Sequence, residues 1–327
     1  MRIYRSPIVA KYGMNTTTII PDHQATMTRP KAGGCLFYGG LMFNVRLAET
    51  RPGAGMNEDV VGVSAAAAWV IDGASGVGEN LVSAESDAQW FAQRVDAELR
   101  DLLTCEPAMP FGALFGAVVD RCRSAYSGLV RRSPAGRHEL PSAAMAFVRA
   151  LPNKVELATF GDCDILYRRR GDEAVAVHGD GGNIAPFEAR TKALACSLAA
   201  KHPGILPDDL FQALRPQLVA NRAFMNVDGG YWVLGLQPEA IAHADRIELP
   251  PDDWAIALAS DGFLRLADMF DHLGRSAMLG IEHRDQFELC YAELRRLEQA
   301  TRSLVDHPRV KISDDASFAR IDVHTSQ

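Results

Sequence analysis

The sequence lacks the spacings that usually announce a metal–thiolate or redox site. Its six cysteines, at positions 35, 105, 122, 163, 196 and 290, include no Cys-x-x-Cys pair. Neither a zinc knuckle nor a thioredoxin-like dithiol is therefore indicated. Scattered single thiols suit a reducing compartment, so the expected localisation is cytoplasmic. The nine histidines offer no His-x-x-x-His or His-Glu-x-x-His spacing, which leaves a zinc enzyme unsupported. His178, His243 and His283 read as surface singletons. No apolar run reaches the roughly 18–20 residues that span a bilayer. Arg2 and Arg5 are not followed by a long apolar segment, so neither a signal peptide nor a membrane partner is expected. Basic surplus is also absent: net charge is −7 and the pI is about 5.7. The run Arg168-Arg169-Arg170 reads as a solvated strand end, and no nucleic-acid partner is expected. Gly179-Asp180-Gly181-Gly182 lacks the Gly-Lys-Ser/Thr ending of a phosphate loop and reads as the entrance to a flap.

What is present is an ordinary globular composition, 47% hydrophobic and 23% charged over 327 residues. One large domain over residues 35–327 is expected, preceded by a poorly ordered extension at 1–34. Alternation from Cys35 to Leu47 predicts a first strand or hairpin around Gly39-Gly40. Val60–Val63 and Trp69–Ile71 predict two strands joined near Ser64–Ala66. Apolar steps of three and four predict helices over 77–103 and about 110–131. Short strands follow at 142–151, 154–160, 164–169 and 175–177, spaced as an antiparallel meander. The pattern weakens over 181–230, which reads as a flap or insert with one helix near 207–221. Strands are expected at 231–236, 245–249, 254–259 and 317–323, with helices near 263–270 and 284–305. Two helices, a block of strands, a flap, more strands and two helices predict an α+β layered sandwich. Its two mainly antiparallel sheets would carry helices on their outer faces.

Acidic residues punctuate the ends of these strands: Glu58 and Asp59, Asp72-Gly73, Gly161-Asp162, Asp261-Gly262, and Asp314 with Asp315. A single Asp-Gly is the ordinary hairpin signal. Several of them, each at a strand end, can project carboxylates into one cleft. Like charges so placed repel unless cations lie between them, and hard dications take such oxygen ligands.

The ordered set resembles the metal-dependent type-2C protein phosphatases, the PPM family. The segment Asn57-Glu58-Asp59 matches that family's opening motif. Val70-Ile71-Asp72-Gly73-Ala74-Ser75-Gly76 looks like its apolar-Asp-Gly-x-x-Gly motif, and Phe160-Gly161-Asp162-Cys163 like its Gly-Asp-Ser motif. Leu258-Ala259-Ser260-Asp261-Gly262-Phe263 is similar to its Ala-Ser-Asp-Gly motif. Asp314-Asp315-Ala316-Ser317 stands in place of Asp-Asn-x-Thr. The resemblance covers roughly residues 40–323 in the correct order.

That resemblance implies a four-layer αββα sandwich and a soluble phosphatase acting on phosphoserine and phosphothreonine. It implies two Mg²⁺ or Mn²⁺ ions, a phosphoprotein substrate and a cognate Ser/Thr kinase as partner. By the same resemblance Asp72 bridges the two ions. Glu58 and the Gly73 carbonyl serve one, Asp261 and Asp314 the other. Asp59 orients the attacking water, and Asp162 serves a third ion. Cys163 stands where the family usually has Ser and reads as a small buried residue. Two positions depart from the pattern. The family's phosphate-holding Arg is replaced by Ala54, for which Arg51 or Arg46 could substitute, and its His after Asp-Gly is Ala74. These departures keep a second reading open, a pseudophosphatase that binds phosphoproteins without turnover.

Overall fold

A computed structural model describes residues 36–38, 40–74, 76–179, 183–300, 307 and 309–325. The expected extension at 1–34 lies outside these residues. The strands form two antiparallel sheets. The first runs in the order β1 (Leu36–Tyr38), β2 (Leu41–Arg51), β12 (Ala316–Thr325), β11 (Trp254–Ala259), β7 (Asp164–Arg169) and β8 (Ala176–His178). The second runs β10 (Asp245–Leu249), β6 (Lys154–Phe160), β5 (Ser142–Leu151), β4 (Ala67–Ala74) and β3 (Val60–Val63), with the short β9 (Leu234–Gly235) paired to β5.

Strand β4 shows how the layers are built. Successive side chains of a strand point to opposite faces. Ala68 and Val70 face the first sheet, where they join Ile165, Ile256, Leu258 and Ile321. Trp69 and Ile71 face the other way, onto Phe91, Val95 and Leu99 of α1 (Asp87–Cys105) and Phe115 and Val118 of α2 (Phe111–Leu129). A strand covered on both faces has to be apolar at every position, which is why Ala67–Ile71 reads as a continuous run. Each fully buried Val, Ile or Phe there contributes about 1.5–3 kcal/mol. Helices α5 (Asp261–Asp268) and α7 (Arg284–Ala300), with the short α6 (Arg275–Met278) between them, cover the first sheet, with Phe263, Leu266, Met278, Phe287 and Leu294 packed on Leu166, Ala257 and Phe318. The result is the predicted αββα sandwich. Among the described residues no helix is long and apolar enough to cross a membrane.

Four local expectations change. Helix α1 begins at Asp87, not near residue 77. The Asp87 carboxylate accepts the backbone N–H groups of Leu81, Val82 and Ser83 at 2.5, 2.9 and 2.7 Å, and Ser86 caps the helix by accepting from Gln89 at 3.1 Å. Such side chains offer the backbone an alternative to a helical turn, so Leu81 is buried from a loop. The strands from 142 to 178 do not form one meander. Strands β5 and β6 stay in the second sheet, whereas β7 and β8 belong to the first. The chain changes sheets at Gly161–Cys163, where Gly161 adopts φ +68°. The weak region holds two helices, α3 (Ala185–Lys201) and α4 (Pro207–Arg222), with small apolar clusters of their own around Phe187 and Leu214. Exposed alanines at Ala185, Ala189, Ala193 and Ala200 blur the period of α3. Lastly, His178 is buried, with Nδ1 3.5 Å from the Asp245 carboxylate.

Candidate active site

Glu58 and Asp59 sit in the loop that enters β3, and Asn57 shapes that loop. Its side-chain oxygen accepts the Asp59 N–H at 3.0 Å while its amide donates to Thr50 Oγ1 at 2.9 Å. Gln89 of α1 donates to the Asn57 carbonyl at 2.7 Å. Asp59 is buried and accepts the Ser317 hydroxyl at 2.7 Å. Glu58 is half-buried and accepts the Ser86 hydroxyl at 2.5 Å.

The other acids arrive from separate elements. Asp72 and Gly73 end β4, Asp162 lies on the link between sheets, Asp261 starts α5 directly after β11, and Asp314 precedes β12. The glycines let these segments crowd. A Cβ added to Gly73 would lie 2.5 Å from the Glu58 carbonyl oxygen, and one on Gly262 would lie 1.9 Å from the Asp315 carbonyl oxygen. Only a residue without a side chain fits either crossing. Asp315 ties the loops together by accepting the N–H groups of Gly53 and Glu58, both at 2.7 Å.

The electrostatics follow from this crowding. Loss of surrounding water pushes the Asp59 carboxyl well up. The Ser317 hydroxyl opposes that, and Asp315, Asp314 and Asp261 add to it. Asp72 is likewise raised well above the ordinary carboxylate value, first by loss of water and then by Asp59, Asp261, Asp162 and Asp314. Desolvation also raises Asp261, reinforced by Asp314 and opposed by Arg265 and by a hydrogen-bonding approach to Asp72. Asp162 is raised by desolvation and then by Asp261 and Glu188, which lies within hydrogen-bonding reach. Asp314 differs. Desolvation pushes it up, but Lys311 at 3.3 Å and Arg265 at 2.7 Å outweigh that and hold it below its ordinary value.

Asp59, Asp72, Asp162, Asp261 and Asp314 thus influence one another in one acidic recess. Glu58 joins them through Lys311, which lies 3.9 Å from it. The donor set is all oxygen, dense in negative charge and short of compensating cations, which is the chemistry that suits hard divalent ions. Among the described residues, no three His, Cys, Asp or Glu side chains are gathered into a formed metal cage. Three contributors were missed by sequence reasoning. Glu188 comes from the unrecognised α3, while Lys311 and Arg265 carry no motif of their own.

The two arginine candidates lie elsewhere, whereas Ala74 and Cys163 adjoin the acids. Arg51 turns toward α7, pairing with Glu49 at 3.0 Å and with Glu288, and lies against the Phe287 ring. Arg46 pairs with Glu282 at 3.2 Å and reaches Asp322 at 3.8 Å. The carbonyl of Ala74 accepts from Arg222 of α4 at 2.8 Å. Cys163 is fully buried, and desolvation pushes its thiol well above the ordinary value.

No protein-family model matches the sequence, and no curated protein matches it either. Solved structures do. The chain is similar to the catalytic domain of the serine/threonine protein phosphatase PstP in complex with two manganese ions, at 16% identity and a TM-score of 0.50 over 87% of this chain and 99% of that one. It is similar to the Mycobacterium tuberculosis serine/threonine phosphatase PstP/Ppp at 17% identity and a TM-score of 0.50, with the same 87% and 99% coverage. The chain has the fold of these phosphatase domains.

Proposed function

We propose that this protein is a divalent-cation-dependent phosphoprotein phosphatase that hydrolyses phosphoserine and phosphothreonine. The observation that carries this reading is the gathering of Asp59, Asp72, Asp162, Asp261 and Asp314 from five separate chain segments into one recess. A purely structural core has no use for mutually repelling carboxylates held away from water.

Glu58, Asp72 and the Gly73 carbonyl would hold one Mg²⁺ or Mn²⁺ ion, with Asp72 shared by a second held by Asp261 and Asp314. Asp162, with Glu188 beside it, would serve a third. When bound, such ions neutralise phosphate charge and acidify the attacking water. Asp59, fixed by the Ser317 hydroxyl and the Asn57-shaped loop, would accept a hydrogen bond from that water and orient it. No side chain of the recess is needed as a nucleophile, and the buried Cys163 is unsuited to be one. The substrate is a phosphoprotein, and a Ser/Thr kinase that writes the same mark is the natural partner.

The decisive experiment is turnover of a phosphopeptide and of p-nitrophenyl phosphate with Mn²⁺. Turnover that EDTA abolishes is expected, and Asp72→Asn should lower it by about 100-fold or more. Activity that survives EDTA would overturn the reading. The engagement of Asp314 by Lys311 and Arg265 favours a second reading, a pseudophosphatase that binds phosphoproteins without turnover. Peptide binding with no phosphate release in the same assay would identify it.

A further inference from the structure

Most cations near the acidic recess are already committed. Arg265 is buried between Asp314 at 2.7 Å and Glu298 at 2.9 Å. Arg222 is buried and donates to the carbonyls of Ala74 and Leu140 at 2.8 and 3.0 Å. Arg51 and Arg46 face α7 and the loop before it. Ala54, in the loop where the resemblance places a phosphate-holding Arg, offers no charge at all.

Lys311 is different. Half of its side chain is exposed, at 50%, yet its ammonium points into the recess, 3.3 Å from Asp314 and 3.9 Å from Glu58. These are two carboxylates that the proposed function gives to different divalent ions. The loop carrying Lys311 also carries Asp314, so the lysine's backbone stays beside the site when its partners are taken. A lysine stem has four rotatable carbons and a compact head that can exchange one oxygen partner for another within a short radius. Once divalent ions hold Glu58 and Asp314, the ammonium would be repelled by them and left within reach of the phosphate of a bound substrate.

Resting on that reading of the site, we propose that Lys311 is its phosphate-holding cation, and that it yields Glu58 and Asp314 to the divalent ions. It takes the part that Ala54 cannot play, from the neighbouring loop, whose Asp314 packs against Gly53 and whose Asp315 accepts the Gly53 N–H. Two consequences separate this from a structural role. Lys311 competes with the metal, so removing it does not weaken metal binding. It also contributes to phosphate affinity in the metal-loaded protein.

The test is isothermal titration of the full chain, first with Mn²⁺ and then, once loaded, with inorganic phosphate. Parent, Lys311→Met and Lys311→Arg proteins are compared. The Met variant should bind Mn²⁺ as tightly as the parent or more tightly, and bind phosphate about tenfold more weakly. The Arg variant should stay within about threefold of the parent for phosphate. The KM for a phosphopeptide should rise with the phosphate constant, with kcat changing less. Unchanged phosphate affinity in Lys311→Met, or weaker Mn²⁺ binding, overturns the inference. A parent enzyme that turns over while Lys311→Met matches its KM sinks this inference alone. A parent that does not turn over sinks the phosphatase reading, and the phosphate titration still judges Lys311.

Discussion

The Asp315 carboxylate accepts the backbone N–H of Glu58 at 2.7 Å with one oxygen and that of Gly53 at 2.7 Å with the other. Both oxygens act as acceptors, so the position suits an Asp and not an Asn. An amide in that place turns an NH₂ group toward one of the two N–H donors. Asp315→Asn should therefore destabilise the protein by about 1–3 kcal/mol, seen as a lower urea midpoint with unchanged slope. A neutral substitution would mean that the two loops do not depend on this tie.

Removing one of the crowded acids should have opposite effects on activity and on stability. In EDTA, the Asp72 carboxyl is destabilised by lost water and by four neighbouring acids. Asp72→Asn keeps the shape and removes the charge. Its melting temperature in EDTA should exceed the parent's by about 2–4 °C, whereas added Mn²⁺ should stabilise the parent more than the variant. Calorimetry with and without Mn²⁺ checks both signs. A variant that melts lower than the parent in EDTA would contradict the repulsion.

Far from the recess, Arg149 and Glu156 form an ion pair at 2.5 Å with both side chains 2% exposed, and Arg149 also donates to the Met109 carbonyl at 2.8 Å. Arg246 adds a second contact to Glu156 at 2.7 Å. Breaking such a pair strands a buried charge. Glu156→Gln should cost about 3–5 kcal/mol, while replacing Arg149 and Glu156 together by apolar residues of similar volume should recover most of that loss. Chemical denaturation of the single and double variants measures it.

The loop between α2 and β5 carries its own pH dependence. Arg132 donates to both oxygens of Glu139 at 2.8 and 2.9 Å, joined by the Ala135 N–H at 2.7 Å, and the carboxyl is held down at about 2. A folded-state value below the unfolded one gives stability that is complete above the unfolded value and is lost as pH falls toward the folded one. The stability difference between the parent and Glu139→Gln should therefore be constant near neutrality and shrink as pH drops from about 5 to about 3. Urea titrations at several pH values would show it, and a difference independent of pH would count against the contact.

The layers were legible because burial on two faces leaves a mark that burial on one does not. Ala67–Ile71 and Trp254–Ala259 are uninterrupted apolar runs, and both are central strands. The acids were legible because each stands beside a strand end or a glycine where backbones cross closely. What escaped notice depends on contacts distant in sequence. The late start of α1 is set by Asp87 folding back on Leu81–Ser83. The division of the supposed meander between two sheets is set at Gly161–Cys163, and a turn looks the same whether it returns to its own sheet or leaves it. Glu188 lies on a helix whose alanines conceal its buried side, and nothing near it in sequence marks it as a neighbour of Asp162.

That division gives the recess a mechanical position. Asp72 belongs to one sheet, Asp261 follows the central strand of the other, and Asp162 rides on the segment passing between them. The recess therefore lies across the seam of the sandwich at one end. Repulsion among its acids pushes the two layers apart there, and a charge that neutralises them acts as a rivet through both. The seam's tightness at that end is thus set by what the recess holds.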